Sequence, residues 1–550
     1  MGERRRLGSQ DSRRRLGVQD ALWLEMDRPN NLMVVDTVIW TAEPLDFSAL
    51  REVVEERLLD RYPVFRSRAV CDEDGSWWWE PDPDFNVDNH VSLVSLQNPD
   101  DPRGLQDLVA ARRAEMLNRD HPLWQSIWIK RYGEGSAMIL RTHHAIADGL
   151  RMLQVAMSLF DVTSEGGPVM APAVTPAVAY PHPPGQSLSR RVRTGAGQAA
   201  RTAGGAIGRI AEAPRLLERA GRLGRFVLRN PVGAGATLMT AAKAGAADVA
   251  GTVRVAVPGG GMLVDVFSAV PGDVDTVRKL LLGTRNDATM WTGTAGGEKA
   301  VSWSEALPMA AIKALGRANH SSVNDVLVAC VAGALHDYLR AHEAPCSSVT
   351  FMVPVNLTPL DLTPDTLGND FALVQLELPT DEPDPLKVLA AAKRRMERIK
   401  HGHEAALAFR FQETIAGLGR GLYEASVDMF ANRTLGTLTN VPGPAMPVYL
   451  AGSLVEGIVG WAPISGDQPM SFTISSYNGK VMLGIACDTT LVPEHEMIVE
   501  GFVDAFERLA DATPAVVLMP VSWGRAGKGS GRGPGKGPGK GPGKGQGRRR

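Results

Sequence analysis

The stretch best equipped for chemistry is His143-His144-Ala145-Ile146-Ala147-Asp148-Gly149. A neutral imidazole, with an ordinary pKa of about 6.5, can take a proton from a hydroxyl or thiol near neutral pH, and a carboxylate close by can hold the local geometry. His144 and Asp148 are also spaced i, i+4, which would suit two metal ligands on one helical face. No third ligand lies at a recognisable spacing, so no metal site is assigned. A surface pair or a satisfied core pair is the plainer alternative to catalysis.

The surrounding residues place this stretch at the end of a strand. The apolar run Ala137-Met138-Ile139-Leu140 leads into the histidines. Ser126 to Arg131 and Ser136 to Thr142 read as two strands of a hairpin joined at Gly133-Glu134-Gly135. Beyond Gly149, the spacing of Leu150, Leu153, Met157 and Phe160 predicts a helix leaving the motif. Upstream, Met33 to Trp40 reads as a strand and Leu45 to Tyr62 as one core-facing helix through Leu50, Val53, Val54 and Leu58. Trp77-Trp78-Trp79 reads as a strand whose three rings cannot share one face. An amphipathic helix at about Leu105 to Leu117 precedes Pro122-Leu123-Trp124, where a tryptophan ahead of a strand is more often core than site.

From Ser164 to about Gly261 the composition shifts to Pro, Ala, Gly and Arg, which marks a linker. Ten arginines lie between Arg190 and Arg229 against only Glu212 and Glu218. From Arg215 they fall largely opposite Leu216, Leu217, Leu223, Val227 and Leu228, as in a helix lying on an anionic membrane, or in a solvated connecting helix. The following region again mixes helices (Ser322 to Leu339, Leu386 to Ile399, Glu496 to Leu509) and strands (Val349 to Val355, Phe371 to Leu378). Asn478-Gly479 supplies the positive-φ pair of a tight hairpin turn between Ser471 to Tyr477 and Lys480 to Cys487. Asn324 and Asp325 follow Ser321-Ser322 at a helix start, so capping is their first reading and a contact between lobes the second.

Composition sets the outer bounds. At 550 residues the chain exceeds one ordinary core, and 44% apolar with 22% charged residues is usual for a globular protein. The net charge of -2 hides a division: residues 525–550 hold nine Lys or Arg and no acid, so removing that tail leaves a body of about -11. Cys71, Cys330, Cys346 and Cys487 show no CxxC spacing, which fits a reducing compartment. The arginine clusters Arg4 to Arg6 and Arg13 to Arg15 are followed by no apolar segment of the secretory kind, and no apolar run reaches the length of a membrane span. The terminal Gly-Pro-Gly-Lys repeats are too poor in apolar residues to fold.

Taken in order, Pro122-Leu123-Trp124, the HHxxxDG stretch, Asn324-Asp325, Asn440-Val441-Pro442-Gly443-Pro444 and Ser475-Ser476-Tyr477-Asn478-Gly479 make the chain resemble the bacterial wax ester synthase/diacylglycerol acyltransferase family. The resemblance covers nearly all of residues 17 to 512. HHxxxDG alone is shared with chloramphenicol acetyltransferase, carnitine acyltransferases and peptide-synthetase condensation domains; the other elements narrow the assignment.

The resemblance implies an α/β fold with mixed sheets, in which two chloramphenicol-acetyltransferase-like lobes are joined by a long, partly helical linker. The expected organisation is an Arg-rich extension (1–16), an N-terminal lobe (17–163), the linker (164–261), a C-terminal lobe (262–523) and a basic tail (524–550). His144 would be the base that deprotonates an acceptor alcohol for direct attack on a long-chain acyl-CoA thioester. His143 and Asp148 would hold the strand end, and Gly149 would turn the backbone into the helix without a clashing Cβ. Pro122, Leu123, Trp124, Asn324, Asp325, Asn440, Pro442 and Gly443 are carried over as substrate-binding residues. No Gly-x-Ser-x-Gly elbow is present and no cysteine adjoins a histidine, so nothing favours a covalent acyl-enzyme.

The expected products are triacylglycerol from diacylglycerol or wax ester from a fatty alcohol. Acyl-CoA is the co-substrate, with no metal or other cofactor. The expected place is cytoplasmic, on the inner membrane face or lipid droplets, with no specific nucleic acid as partner. A carrier-protein-dependent condensation or polyketide-type acyltransferase, and a non-catalytic lipid-surface protein, are the alternatives.

Overall fold

The strand Gly135–His143 is buried from end to end, as its apolar run requires when both faces of a central strand are covered. It pairs antiparallel with Trp124–Tyr132 on one side, as the hairpin reading expects, and with Val34–Thr41 on the other. Glycine at 135 is a packing requirement, because a Cβ there would lie 1.9 Å from the Thr41 carbonyl oxygen.

The computed structural model describes residues 13–168, 252–256, 263–268, 289–356, 367–369, 371–401 and 433–513. All lie in one compact unit, Met1–Val516. The arginine-rich segment 190–229 and the Gly-Pro-Gly-Lys tail lie outside the described residues.

The histidine strand belongs to an eight-stranded mixed sheet. Its order is Val91–Val94, Trp124–Tyr132, Gly135–His143, Val34–Thr41, Ser453–Trp461, Tyr449–Leu450, Asp161–Thr163 and Gly166–Pro168. Ser453–Trp461 and Tyr449–Leu450 come from the C-terminal half, with Val459 opposite Val38 and Ile458 opposite Ile39. The C-terminal half therefore completes the sheet that carries the histidines.

A second sheet runs Lys299–Trp303, Lys480–Asp488, Met470–Tyr477 and Leu438–Pro442, with Leu307–Pro308 added beside Lys480–Asp488. Its hairpin turns at Asn478 and Gly479, with φ of 45° and 74°, the two positive values a type I′ turn needs. Ser348–Asn356 pairs over nine residues with Phe371–Pro379, and Met352 bridges to Thr437. The helices Val323–Ala341 and Glu496–Ala512 form where the 3.6-residue periodicity predicts them. No helix among the described residues is long and apolar enough to cross a membrane.

Two local expectations change. The helix expected over Leu45 to Tyr62 is α-helical only over Phe47–Val53, then widens into a π turn over Val54–Leu59 that lets the adjacent Leu58 and Leu59 both bury. The cluster Arg13 to Arg15, placed in an extension by the sequence reading, is part of the fold. Arg14–Arg15 forms a short strand against Trp77–Pro81, and Arg13 pairs with Asp72 (2.9 Å) and Glu80 (3.2 Å) while its guanidinium lies over Trp78. Trp79 is buried on the opposite face, 2% exposed.

Beneath the histidine strand, Asp36 accepts from Arg113 at 2.5 Å and from Arg141 Nε at 3.2 Å. All three are buried. Arg113 also donates to the Ala462 carbonyl, tying the helix Pro102–Arg113 to the C-terminal half.

Candidate active site

The two histidines leave the strand under backbone control. His143 N–H donates to the Leu123 carbonyl (3.0 Å) and His144 N–H to that of Met33 (2.8 Å). His143 Nδ1 accepts from the Ala145 N–H at 3.1 Å, so its proton is on Nε2, which stands 3.6 Å from Asp27 Oδ2. Burial pushes the Asp27 carboxyl up. His143, the Met33 N–H and Arg119 outweigh it and hold the group below its ordinary value. His143 is thus fixed inside the fold, 1% exposed, rather than presented to a substrate.

His144 faces a pocket. Its ring centroid lies 4.3 Å from that of Trp23 and 5.8 Å from that of Phe371. Burial among these rings lowers its pKa to about 4, against the opposing charge of Asp148, so at neutral pH the imidazole is uncharged and one ring nitrogen is free to accept a proton. Nδ1 is buried without a hydrogen-bond partner.

Asp148 is the N-cap of the helix Gly149–Ser158. It accepts from the Arg151 N–H at 3.0 Å and pairs with the Arg151 guanidinium at 2.7 Å. Gly149 departs from the expected reason for a glycine: a Cβ there would meet nothing within 4 Å, and its φ is not positive. The backbone does not require glycine at 149. The residue borders the pocket, and its missing side chain leaves that space open.

The other wall comes from the C-terminal half: Thr437, Thr439, Asn440 and Val441 along one strand, with Met352, Pro354, Phe371 and Leu373 from the neighbouring pair. Asn440 Nδ2 donates to Asn324 Oδ1 at 2.5 Å, which joins two of the carried-over residues and sets Asn440 against the pocket. Asp325 completes a reciprocal cap with Ser322, receiving its N–H at 2.7 Å and donating its own N–H to Ser322 Oγ at 3.2 Å. The described residues enclose about 130 Å³, small beside the roughly 300–1,000 Å³ of ordinary ligand pockets.

His144, Asp148, Gly149 and Asn440 thus meet at one pocket, with Asn324 behind Asn440. Pro122, Leu123 and Trp124 do not line it. Trp124 is 1% exposed, donates Nε1–H to the Phe65 carbonyl at 2.8 Å and stacks on His90, a core position behind the histidine strand. Pro442 ends the wall strand, and Gly443 N–H donates to the Ser476 carbonyl at 2.8 Å. A Cβ at 443 would sit 2.4 Å from that oxygen, so Gly443 serves close strand packing rather than pocket lining. Among the described residues no group of three His, Cys, Asp or Glu stands close enough to hold a metal ion.

Sequence reasoning passed over Trp23, Asp27, Asn369 and Phe371. A signal was present in Val18–Met26, where Asp20 is buried directly before the apolar run Ala21-Leu22-Trp23-Leu24 and Asp27 follows the helix. A buried carboxylate implies a polar partner brought from elsewhere.

A pocket walled by two halves of the chain, with HHxxxDG at a strand end, is the arrangement of the two-lobed fold that the sequence resemblance implies. The wax ester synthase/diacylglycerol acyltransferase catalytic domain matches residues 16–327, and the C-terminal domain of the same family matches residues 367–510. The chain belongs to the wax ester synthase/diacylglycerol acyltransferase family.

A Mycobacterium tuberculosis H37Rv protein, provisionally named a diacylglycerol O-acyltransferase, is 27% identical over 528 residues, covering 91% of this chain and 99% of its own length. A second from that strain, with the same provisional name, is 25% identical over 460 residues, covering 82% of each chain. Among solved structures, the wax ester synthase/diacylglycerol acyltransferase from Marinobacter aquaeolei VT8 has a TM-score of 0.58 at 17% identity, covering 90% of this chain and 99% of that one. The first condensation domain of the calcium-dependent antibiotic synthetase has a TM-score of 0.51 at 15% identity, covering 92% and 97%. Both likenesses show the fold.

Proposed function

We propose that the protein transfers a long-chain acyl group from acyl-CoA to the hydroxyl of diacylglycerol or a fatty alcohol, forming triacylglycerol or wax ester. The observation that carries the reading is His144: a neutral, buried imidazole, tilted against the rings of Trp23 and Phe371 and open to a pocket walled by both halves of the chain.

His144 takes the alcohol proton as the oxygen attacks the thioester carbonyl. The tetrahedral intermediate collapses with loss of CoA thiolate, which recovers the proton from the imidazolium. Nε2 is the nitrogen for this task, since Nδ1 is buried away from solvent. His143, through Asp27, and Asp148, through Arg151, hold the loop. Asn440, fixed by Asn324, offers a polar group on the opposite wall. The pocket hydroxyl of Ser465 donates to Gln468, not to a base, and burial pushes the Cys330 thiol up to about 12. Both facts support direct transfer over an acyl-enzyme. The reaction requires no metal or redox cofactor in this reading, and the protein acts at the cytoplasmic face of a membrane or on lipid droplets, where both lipids are found.

The test offers labelled palmitoyl-CoA with hexadecanol and with diacylglycerol in parallel to the purified protein, followed by analysis of esters and of acylated protein. Ester without acylated protein supports direct transfer, and the product ratio names the acceptor. No ester from either alcohol by folded protein overturns the reading in favour of a carrier-bound acyl donor or a surface-binding role.

A further inference from the structure

Leu367-Gly368-Asn369 reaches the histidine loop from the C-terminal half and touches it at several points. Gly368 offers its carbonyl to the Asp148 N–H and to the Arg151 guanidinium, both at 3.0 Å. The Leu367 carbonyl accepts from Arg14 at 3.0 Å. Asn369 makes the most specific contacts. Its Nδ2 donates to the His144 carbonyl at 2.9 Å and to Asp20 Oδ1 at 2.8 Å, and its N–H donates to the same Asp20 oxygen at 3.0 Å.

Asp20 is itself anchored by the Gly17 N–H at 3.2 Å and is 7% exposed. The amide of Asn369 is therefore held from one side by a buried carboxylate and placed on the backbone of His144 from the other.

The His144 ring lacks a comparable restraint of its own. Contact with the rings of Trp23 and Phe371 limits its movement, but no hydrogen bond to Nδ1 sets its direction. Its direction then follows from where its peptide is pinned, by Met33 on the N–H and Asn369 on the carbonyl. Asn369 Oδ1 is buried and unpartnered, as is His144 Nδ1, and the Asn369 side chain favours the protonated ring against the effect of burial. These two atoms have complementary needs: an Nδ1–H facing Oδ1 leaves Nε2 as the free base.

We propose that Asn369 is a positioning residue for acyl transfer, fixing the His144 carbonyl, and through it the direction of the ring, by its side-chain amide while Asp20 fixes Asn369. This rests on the reading of His144 as the base. It assigns the Asp20-Asn369 pair a function that HHxxxDG alone does not contain. The groups that act on the His144 charge are Asp148 and His143, and Asp20 and Arg151 belong to the same network.

The test compares full-length wild type with Asn369→Ala, His144→Ala and the double variant Asp20→Asn/Asn369→Asp. The double variant conserves net charge and rebuilds the bond between positions 20 and 369 with donor and acceptor exchanged, but it cannot donate to the His144 carbonyl. Asn369→Ala is expected to lower kcat by roughly 10- to 100-fold, the scale of an ångström-sized misplacement, with KM for palmitoyl-CoA within about twofold of wild type. The double variant is expected to regain part of the Tm lost in Asn369→Ala, through the rebuilt bond to position 20, while kcat stays low. The acid limb of its kcat/KM profile is expected to move to higher pH, because a carboxylate beside an imidazole favours the charged form. Recovery of kcat together with Tm, with the acid limb unmoved, would mean that Asn369 only supports the fold and would overturn the proposal. If His144→Ala is inactive while Asn369→Ala is fully active, this proposal alone fails. If His144→Ala is itself active, the base reading fails and takes the proposal with it.

Discussion

The indole of Trp23 and the imidazole of His144 lie 4.3 Å apart, centroid to centroid, tilted by 35°. This contact closes one wall of the pocket and removes water from the proposed base. Trp23→Ala is expected to re-expose the ring, raise its pKa from about 4 toward the ordinary 6.5, and move the acid limb of kcat/KM to higher pH. A pH profile of the variant beside wild type is the check; an unmoved limb would mean that Trp23 does not set the environment of His144.

The depressed His144 pKa also has a consequence for stability. The unfolded chain binds more protons at this residue between about pH 4 and 6.5. The contribution of neutral His144 is therefore complete above pH 6.5 and is lost as pH falls toward 4. At about 1.4 kcal/mol per pKa unit the loss is roughly 3 kcal/mol. His144→Phe removes the titrating group, so denaturation from pH 7 to 4 should show the variant losing less stability than wild type. Equal slopes would contradict the burial effect.

Two glycines make opposite predictions. Gly135→Ala puts a Cβ 1.9 Å from the Thr41 carbonyl oxygen in the central sheet, and a loss of at least about 2 kcal/mol or failure to fold is expected. Gly149→Ala meets nothing within 4 Å, so Tm should hold while the added methyl narrows the pocket and lowers kcat/KM, most for the bulkier acceptor. Thermal melts and acceptor competition read both.

Asp36 accepts from both Arg113 and Arg141, and all three are buried. Asp36→Ala leaves two buried guanidinium groups facing each other, and a loss of about 3–5 kcal/mol is expected. Asp36→Asn, which keeps an acceptor, should cost less. Urea denaturation distinguishes them, and equal losses would show that the charge at Asp36 is unimportant.

The residues show why part of this was legible in sequence. The histidine hairpin, the Asn478-Gly479 turn and the Ser322 cap are local devices, set by periodicity and turn chemistry within a few positions. Trp124, carried over as a substrate-binding residue, is instead core in the fold, the role a tryptophan ahead of a strand more often has. The contacts that finish the site are not local. Asn369 meets the His144 carbonyl from 225 positions away, and Ser453 donates to the Glu43 carbonyl across 410. No propensity records such pairings, which depend on Ser453–Trp461 entering the N-terminal sheet. Gly149 shows a further limit: sequence reveals a missing side chain but not whether backbone or open pocket lies beyond it.

The most direct measurement of the central claim is the initial rate of ester formation by His144→Ala relative to wild type, with palmitoyl-CoA and the preferred alcohol both saturating and the fold verified by thermal melting. General-base catalysis by His144 predicts a fall of roughly 10²- to 10⁴-fold. A folded variant within about threefold of wild type would contradict it and place the base elsewhere.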